Sequence, residues 1–227
     1  MSTSAAMLLL ADARFPAGAH AHSGGMESSH GAGDVRTERD VESFVRGRLA
    51  TNGRVESAFA AAACSLAAEA ADLTRWRALD VELAARTPSP RLRSAARTLG
   101  RQLLRAGERT WPSATYAVLR SIEGGPMQPL VLGAVAHAAG LTPDDAALCA
   151  LHHLVASATT AAVRLSGFDP FAMAALSAEL APELEVIAAG AASAAHGPMG
   201  ELPSTTSPLA DVLAEHHSTW EVRLFAS

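Results

Sequence analysis

Apolar residues recur at three- and four-residue spacing over most of this chain, and this helical period constrains the fold more than any other feature. The clearest run extends from Val41 to Leu66 and follows Thr37–Asp40, which has the form of a capping box. Asn52 and Gly53 lie inside the run, and both residue types weaken a helix interior. We therefore expect one long helix that kinks or divides at that point.

Prolines and glycines divide the rest of the chain into further helices. The spacing predicts helices over residues 73–87, 91–109, 113–122, 130–139, 143–165 and 170–181, a final Ala-rich helix after Pro182, and a last start at Ser207–Pro208. No segment alternates apolar and polar residues as a strand does. The sequence predicts an all-α, single-domain helical bundle over residues 1–227, of roughly eight to ten helices, with an N-terminal loop at 12–27 and a C-terminal docking tail at 209–227.

Cysteine content and charge restrict the compartment and the partners. The two cysteines, Cys64 and Cys149, lie in Ala/Leu-rich segments without C-x-x-C spacing, which predicts buried thiols in a reducing cytoplasm. The apolar run Met7–Ala11 is too short for a signal peptide, and we expect no apolar run long enough to cross a membrane. A formal net charge of -5 opposes binding to phosphate backbones, so nucleic acid is not expected as a partner.

The N-terminal stretch Arg14–Ser28 contains the residues most suggestive of a site. It has no P-loop, G-x-S-x-G or H-E-x-x-H signature, and neither does the rest of the chain, which favours a protein that is not an enzyme. His20 and His22 could contact a metal ion, so a small metal-dependent hydrolase or a metal carrier that uses these two residues is the alternative. Loop histidines more often make hydrogen bonds or surface contacts, and we expect no stable metal site and no cofactor.

The glycine pair in this stretch permits two interpretations. Gly24 and Gly25 could present backbone N–H groups to an anion, or Gly24 could cap a helix whose third residue, Glu27, reaches back to the backbone. The preceding Phe15–Gly18 suits a type I turn that would hold the His-containing loop in a defined shape.

Two further regions suggest contact surfaces. Apolar residues crowd the last eight positions, from Trp220 to Phe225, so this tail is expected to dock on its own domain or on a partner. Arg97 and Arg101 place two like charges on one helix face, which is unfavourable unless an acid or a partner meets them. Gly100 between them indicates a close backbone approach by another helix.

Four segments together resemble the family of urease accessory proteins UreF. The residues LLLADARFPAGAHAHSGGMES resemble its N-terminal F-P-x-G and H-S-x-G motif, and ARTLGRQLL at Ala96–Leu104 is similar to its S-R-x-x-G-R-x-L helix. AAVRL at Ala161–Leu165 and the terminal HSTWEVRLFAS resemble two further family segments. The chain departs from the pattern at Ala13, His20, Ala96 and Ser218, and after Leu165.

The resemblance implies an all-helical, dimerising adaptor in a nickel-insertion complex. Such an adaptor would bind UreD (UreH in some systems), recruit the GTPase UreG and so let nickel reach apo-urease, with nickel touching it only in transit. The residues expected to form protein-contact surfaces are Asp12, Arg14, Phe15, Pro16, Gly18, His22, Ser23, Gly24, Glu27, Arg97, Gly100, Arg101, His217, Arg223, Leu224 and Phe225. A transient nickel contact is expected at His20 and His22.

Overall fold

The computed structural model describes residues 3–12, 14–16, 22–217 and 225, and these residues form helices and loops without a strand. The α-helices are α1 (Thr3–Ala11), α2 (Met26–Ala32), α3 (Glu38–Arg48), α4 (Arg54–Ala68), α5 (Leu73–Ala85), α6 (Pro90–Thr110), α7 (Thr115–Arg120), α8 (Gln128–Ala138), α9 (Pro143–Ser166), α10 (Pro170–Ala194) and α11 (Pro208–His217). The all-α prediction is confirmed.

The first long helix is irregular at the predicted position, Asn52–Gly53, but it is not interrupted there. One turn of π-helix, Leu49–Gly53, joins α3 to α4, so the two form one continuous rod. If this rod is counted as one helix, the part of the chain that the structure describes contains ten helices, as many as expected. The Thr37 capping box also forms, because its side chain accepts from the Asp40 N–H while the Asp40 carboxylate accepts from the Thr37 N–H.

The core lies where α4 and α8 pack against each other and against α9, and α10 covers the outer side of α9. Ala and Gly allow these helices to approach closely. A Cβ added to Gly133 in α8 would lie 2.2 Å from the carbonyl oxygen of Ala60 in α4, so only glycine fits there. Cys64 and Cys149 are buried in this core as predicted, and burial is the main reason why the pKa of each thiol rises to about 12.

The expectation that Pro182 ends a helix is wrong, because α10 continues through it. Pro182 and Ala178, whose carbonyl loses its helical donor, both lie on the exposed face, where water can replace the missing hydrogen bond. The opposite face is buried without interruption. Its buried residues, at three- and four-residue spacing, are Met173, Leu176, Leu180, Leu184, Ala188 and Ala191. Tertiary packing of this face keeps the helix continuous across the proline.

Helix α9 is long and apolar enough to cross a membrane by length and composition, contrary to the expectation from sequence. Of its most apolar 18-residue window, 61% is buried inside the protein. Its neighbours are α4, α8 and α10. The hydropathy of α9 is therefore explained by its position as the core helix of the bundle.

Helix α1, which the sequence analysis does not predict, is held by two histidines of α9. His153 Nε2 lies 3.0 Å from the carbonyl oxygen of Leu10, and His152 hydrogen-bonds the backbone of Ala11. These two carbonyls lie in the last turn of α1, where no later N–H group of the helix donates to them. Burial lowers the pKa of both histidines, that of His153 to about 4, so His153 is neutral at pH 7 and its ring N–H is the donor.

Candidate functional site: the joined chain ends and the Arg97 face

The N-terminal contact residues are fixed by two local interactions. The Arg14 backbone N–H donates to Asp12 Oδ1 at 2.8 Å, and its guanidinium lies 2.6 Å from Oδ2. These hydrogen bonds lower the pKa of Asp12 to about 2. Phe15 is buried against Trp111 at the end of α6, with 5.7 Å between ring centroids, whereas Pro16 is exposed. Phe15 therefore anchors the segment, and the side chain of Arg14 is 91% exposed.

The turn before α2 differs from the predicted cap. Gly25, at φ +89°, is the N-cap, so Glu27 is the second helical residue and not the third. The Glu27 backbone N–H donates to Ser23 Oγ at 3.2 Å, which gives Ser23 the role of the capping side chain. Gly24, at φ +62°, completes a left-handed turn that residues with a side chain rarely adopt. The Glu27 carboxylate is therefore not needed by the cap and points elsewhere.

Glu27 joins the two ends of the chain. Its Oε2 atom accepts one hydrogen bond from His217 Nε2 and another from the Phe225 backbone N–H, both at 3.0 Å. Glu27, His217 and Phe225 are all at least 93% buried. The Arg164 guanidinium carbon lies 4.7 Å from the centre of the Phe225 ring, a cation–π contact. Of the two alternatives for the tail, His217 and Phe225 dock on their own domain.

Arg97, Gly100 and Arg101 hold the loop that precedes α8. Arg97 donates to Asp80 Oδ2 at 2.8 Å and to the carbonyl oxygen of Gly125, and Arg101 donates to the Gly124 carbonyl at 2.9 Å. A Cβ on Gly100 would lie 2.1 Å from the Pro126 carbonyl oxygen. The predicted close approach is present, but the approaching backbone belongs to the loop and not to another helix.

Sequence reasoning missed Asp80, which is 95% buried in α5. It pairs with Arg97 and accepts from the Met127 backbone N–H at 3.3 Å. In the sequence, Asp80 is one acidic residue within a predicted helix, and nothing near it indicates a buried ion pair. Its partner, Arg97, is seventeen positions further along the chain.

Several predicted residues cannot be placed. Gly18, His20, Arg223 and Leu224 lie outside the described residues, as does the second half of the predicted type I turn at 15–18. His22 is half-buried and lines a cavity beside Gly24. Among residues 3–12, 14–16, 22–217 and 225, no three His, Cys, Asp or Glu side chains could together hold a metal ion. The hypothesis of a nickel contact at His20 and His22 stays a prediction.

Comparison with known proteins supplies the observation that decides the family. The sequence model of the UreF family matches residues 35–181. The chain is 39% identical to the urease accessory protein UreF of Mycobacterium sp. (strain JLS) and of Mycobacterium marinum, and 35% identical to that of Mycobacterium tuberculosis. Each alignment covers all of both chains.

The chain belongs to the UreF family. The UreF match at 35–181 includes Arg97, Gly100 and Arg101 but neither chain end. The full-length UreF relatives extend the similarity over the Glu27 turn and the C-terminal tail. Both candidate regions thus lie within sequence that is alignable with UreF proteins.

Proposed function

We propose that this chain is a non-catalytic adaptor of urease maturation. It binds UreD (UreH), recruits the GTPase UreG and modulates or positions it, so that nickel passes to apo-urease. It works as a homodimer in the cytoplasm, has no resident cofactor and contacts nickel only in transit. The observation that carries this proposal is the full-length similarity to proteins named urease accessory protein UreF.

The geometry at Glu27 supports a contact surface that needs both chain ends. The Ser23–Glu27 turn and residues His217 and Phe225 are separated by about the whole sequence, yet one carboxylate oxygen joins them. A partner that recognises the N-terminal motif therefore also meets the docked tail. The exposed Arg14, held in position by Asp12, adds a positive charge on the N-terminal side.

The first experiment measures assembly when the tail is released. Replacing Glu27 by Gln removes the negative charge that accepts from His217 and Phe225, and hydrogen bonds to a buried charged group contribute about 1.5–3 kcal/mol. We expect the equilibrium constant for docking of the tail to fall about tenfold or more. Correspondingly less UreD and UreG should be recovered with the tagged variant. Glu38→Gln, at an exposed position in the first turn of α3, is the matched control.

A truncation after Leu213 removes the tail altogether and should abolish the complex. Full assembly by either the truncated chain or Glu27→Gln would refute the role of the tail. The cellular test deletes the gene and measures the nickel content and activity of the organism's urease. Normal nickel loading in the deletion strain would refute the adaptor function as a whole.

A further inference from the structure

A cavity of 210 Å³ lies beside the Ser23–Gly25 turn. Its walls come from α2, α3, α4, α6, α8, α9 and α11, so it is enclosed by elements from distant parts of the sequence. One water molecule needs only about 10–15 Å³ of such space. A small polyatomic solute therefore fits together with several water molecules.

Arg48, the last residue of α3, points its guanidinium at this cavity. Its side chain is 18% exposed, and its Nε atom is buried without a hydrogen-bond partner among the described residues. Its nearest carboxylate oxygen, on Glu56, is 4.0 Å away, beyond hydrogen-bonding distance. A guanidinium has five N–H donors, and leaving such donors buried and unpaired is costly. A site of this kind is suited to an absent ligand that accepts hydrogen bonds.

The left-handed turn at Gly24 makes room for the guanidinium. A Cβ at Gly24 would lie 3.0 Å from Arg48 Nη1 and 3.4 Å from Ser157 Oγ, tighter than ordinary contacts to a side chain. Gln128 lines another wall, and its side chain carries an amide group of the kind that can donate. Gly24 of the N-terminal motif thus has a spatial role at the cavity, in addition to its place in the turn that begins α2.

The other basic side chains at the cavity are already engaged, and His153 is neutral at pH 7. Arg86 donates to Glu82 and to the carbonyls of Gly200, Leu202 and Pro203. His217 is bound to Glu27, and the Nε2 of His153 is bound to Leu10. Arg48 is therefore the cation at this cavity with donors to offer. Glu56 competes weakly with an anion, because burial raises the pKa of its carboxyl group and favours the neutral form.

We propose that this cavity binds a free small oxyanion of the carboxylate or phosphate class, held by the Arg48 guanidinium and the Gln128 amide. The planar guanidinium matches two oxygen atoms of either group. The site does not depend on the adaptor function, since neither UreD nor UreG takes part in it.

The test titrates the full-length protein with inorganic phosphate and, separately, with acetate, in a calorimeter at constant ionic strength balanced with chloride. We expect saturable binding of at least one of the two anions, and the stronger of them identifies the preferred geometry. Arg48→Met should weaken that binding about tenfold or more. Arg39→Met, on an exposed face of the same helix, is the matched control and should bind as the parent does.

Glu56→Gln separates an anion site from a structural ion pair. An anion site predicts that this variant binds the anion at least as tightly as the parent, because glutamine is always neutral and cannot compete with the anion for Arg48 as a carboxylate would. If Arg48→Met does not fold by circular dichroism, Arg48→Lys replaces it; this variant keeps the charge, loses the planar fork and should bind more weakly. Absence of binding of both anions to the parent, or equal binding by parent and Arg48 variant, overturns the proposal.

Discussion

Several residues in this protein make contacts that the surrounding sequence does not predict. Gly100 marks a close approach, but the atom that excludes a side chain there is the carbonyl oxygen of Pro126, in the loop that follows the next helix, α7. Arg97 and Arg101, which looked like a repulsive pair, are each engaged by that loop, and Arg97 also by Asp80. The Arg97 face therefore has a structural role in positioning α8.

Gly100→Ala should lower the free energy of unfolding by about 2–3 kcal/mol, because its Cβ would lie 2.1 Å from the Pro126 carbonyl oxygen and force the loop away. Gly47→Ala is the control. Gly47 lies in α3 with no atom within 4 Å of an added Cβ, so alanine there should stabilise by about 0.5–1 kcal/mol. Urea denaturation measures both variants, and equal effects would contradict the close contact.

The helices illustrate how tertiary packing modifies local signals. In α10 the exposed Pro182 does not break a helix whose opposite face is buried throughout. In α1, a short helix with Leu8 75% exposed is retained because two histidines of α9 take its terminal carbonyls. The adjacency of His152 and His153 suits two adjacent carbonyls at a helix end.

Because His153 holds α1, the free energy of unfolding should depend on pH in the acid range. The native pKa of His153 is about 4, below the unfolded value of about 6.5, so the unfolded chain takes up a proton first as pH falls. The contribution of His153 to the free energy of unfolding is complete above about pH 6.5. It is lost as pH falls toward about 4, by up to about 3 kcal/mol.

His153→Gln keeps a donor for the Leu10 carbonyl but cannot take up a proton, so its stability should fall less between about pH 7 and about pH 5. Urea unfolding at both pH values measures the difference from the parent. His137→Gln in α8 is the control and should follow the parent. An unchanged pH dependence in His153→Gln would argue against a neutral buried imidazole.

The whole molecule is organised around small side chains. Buried alanines of α4 and α8 and the contact at Gly133 bring helix backbones together, and both cysteines lie in this packed centre. Joined chain ends and the Arg97 loop then sit on the outside of the same core. The geometry of both candidate regions therefore depends on the integrity of the bundle.

Both thiols should be unreactive until the bundle opens. Cys64 is 1% exposed and Cys149 is 0% exposed, and a pKa of about 12 leaves almost no thiolate at pH 8. Ellman's reagent should label no cysteine in the native protein and two per chain in concentrated guanidinium chloride. Rapid labelling of either thiol under native conditions would indicate local opening of the core.

The sequence by itself determined most of the helices, the cap at Thr37, the irregular turn at Asn52–Gly53 and the buried cysteines, because these depend on interactions within a few residues. It also carried the motifs of the UreF family. Only the tertiary structure decided the partners of Glu27, Asp80 and Arg48, since each is set by contact or lack of contact between groups far apart along the chain. Local patterns cannot encode which distant helix a buried charge will face, because packing of the whole core settles that choice.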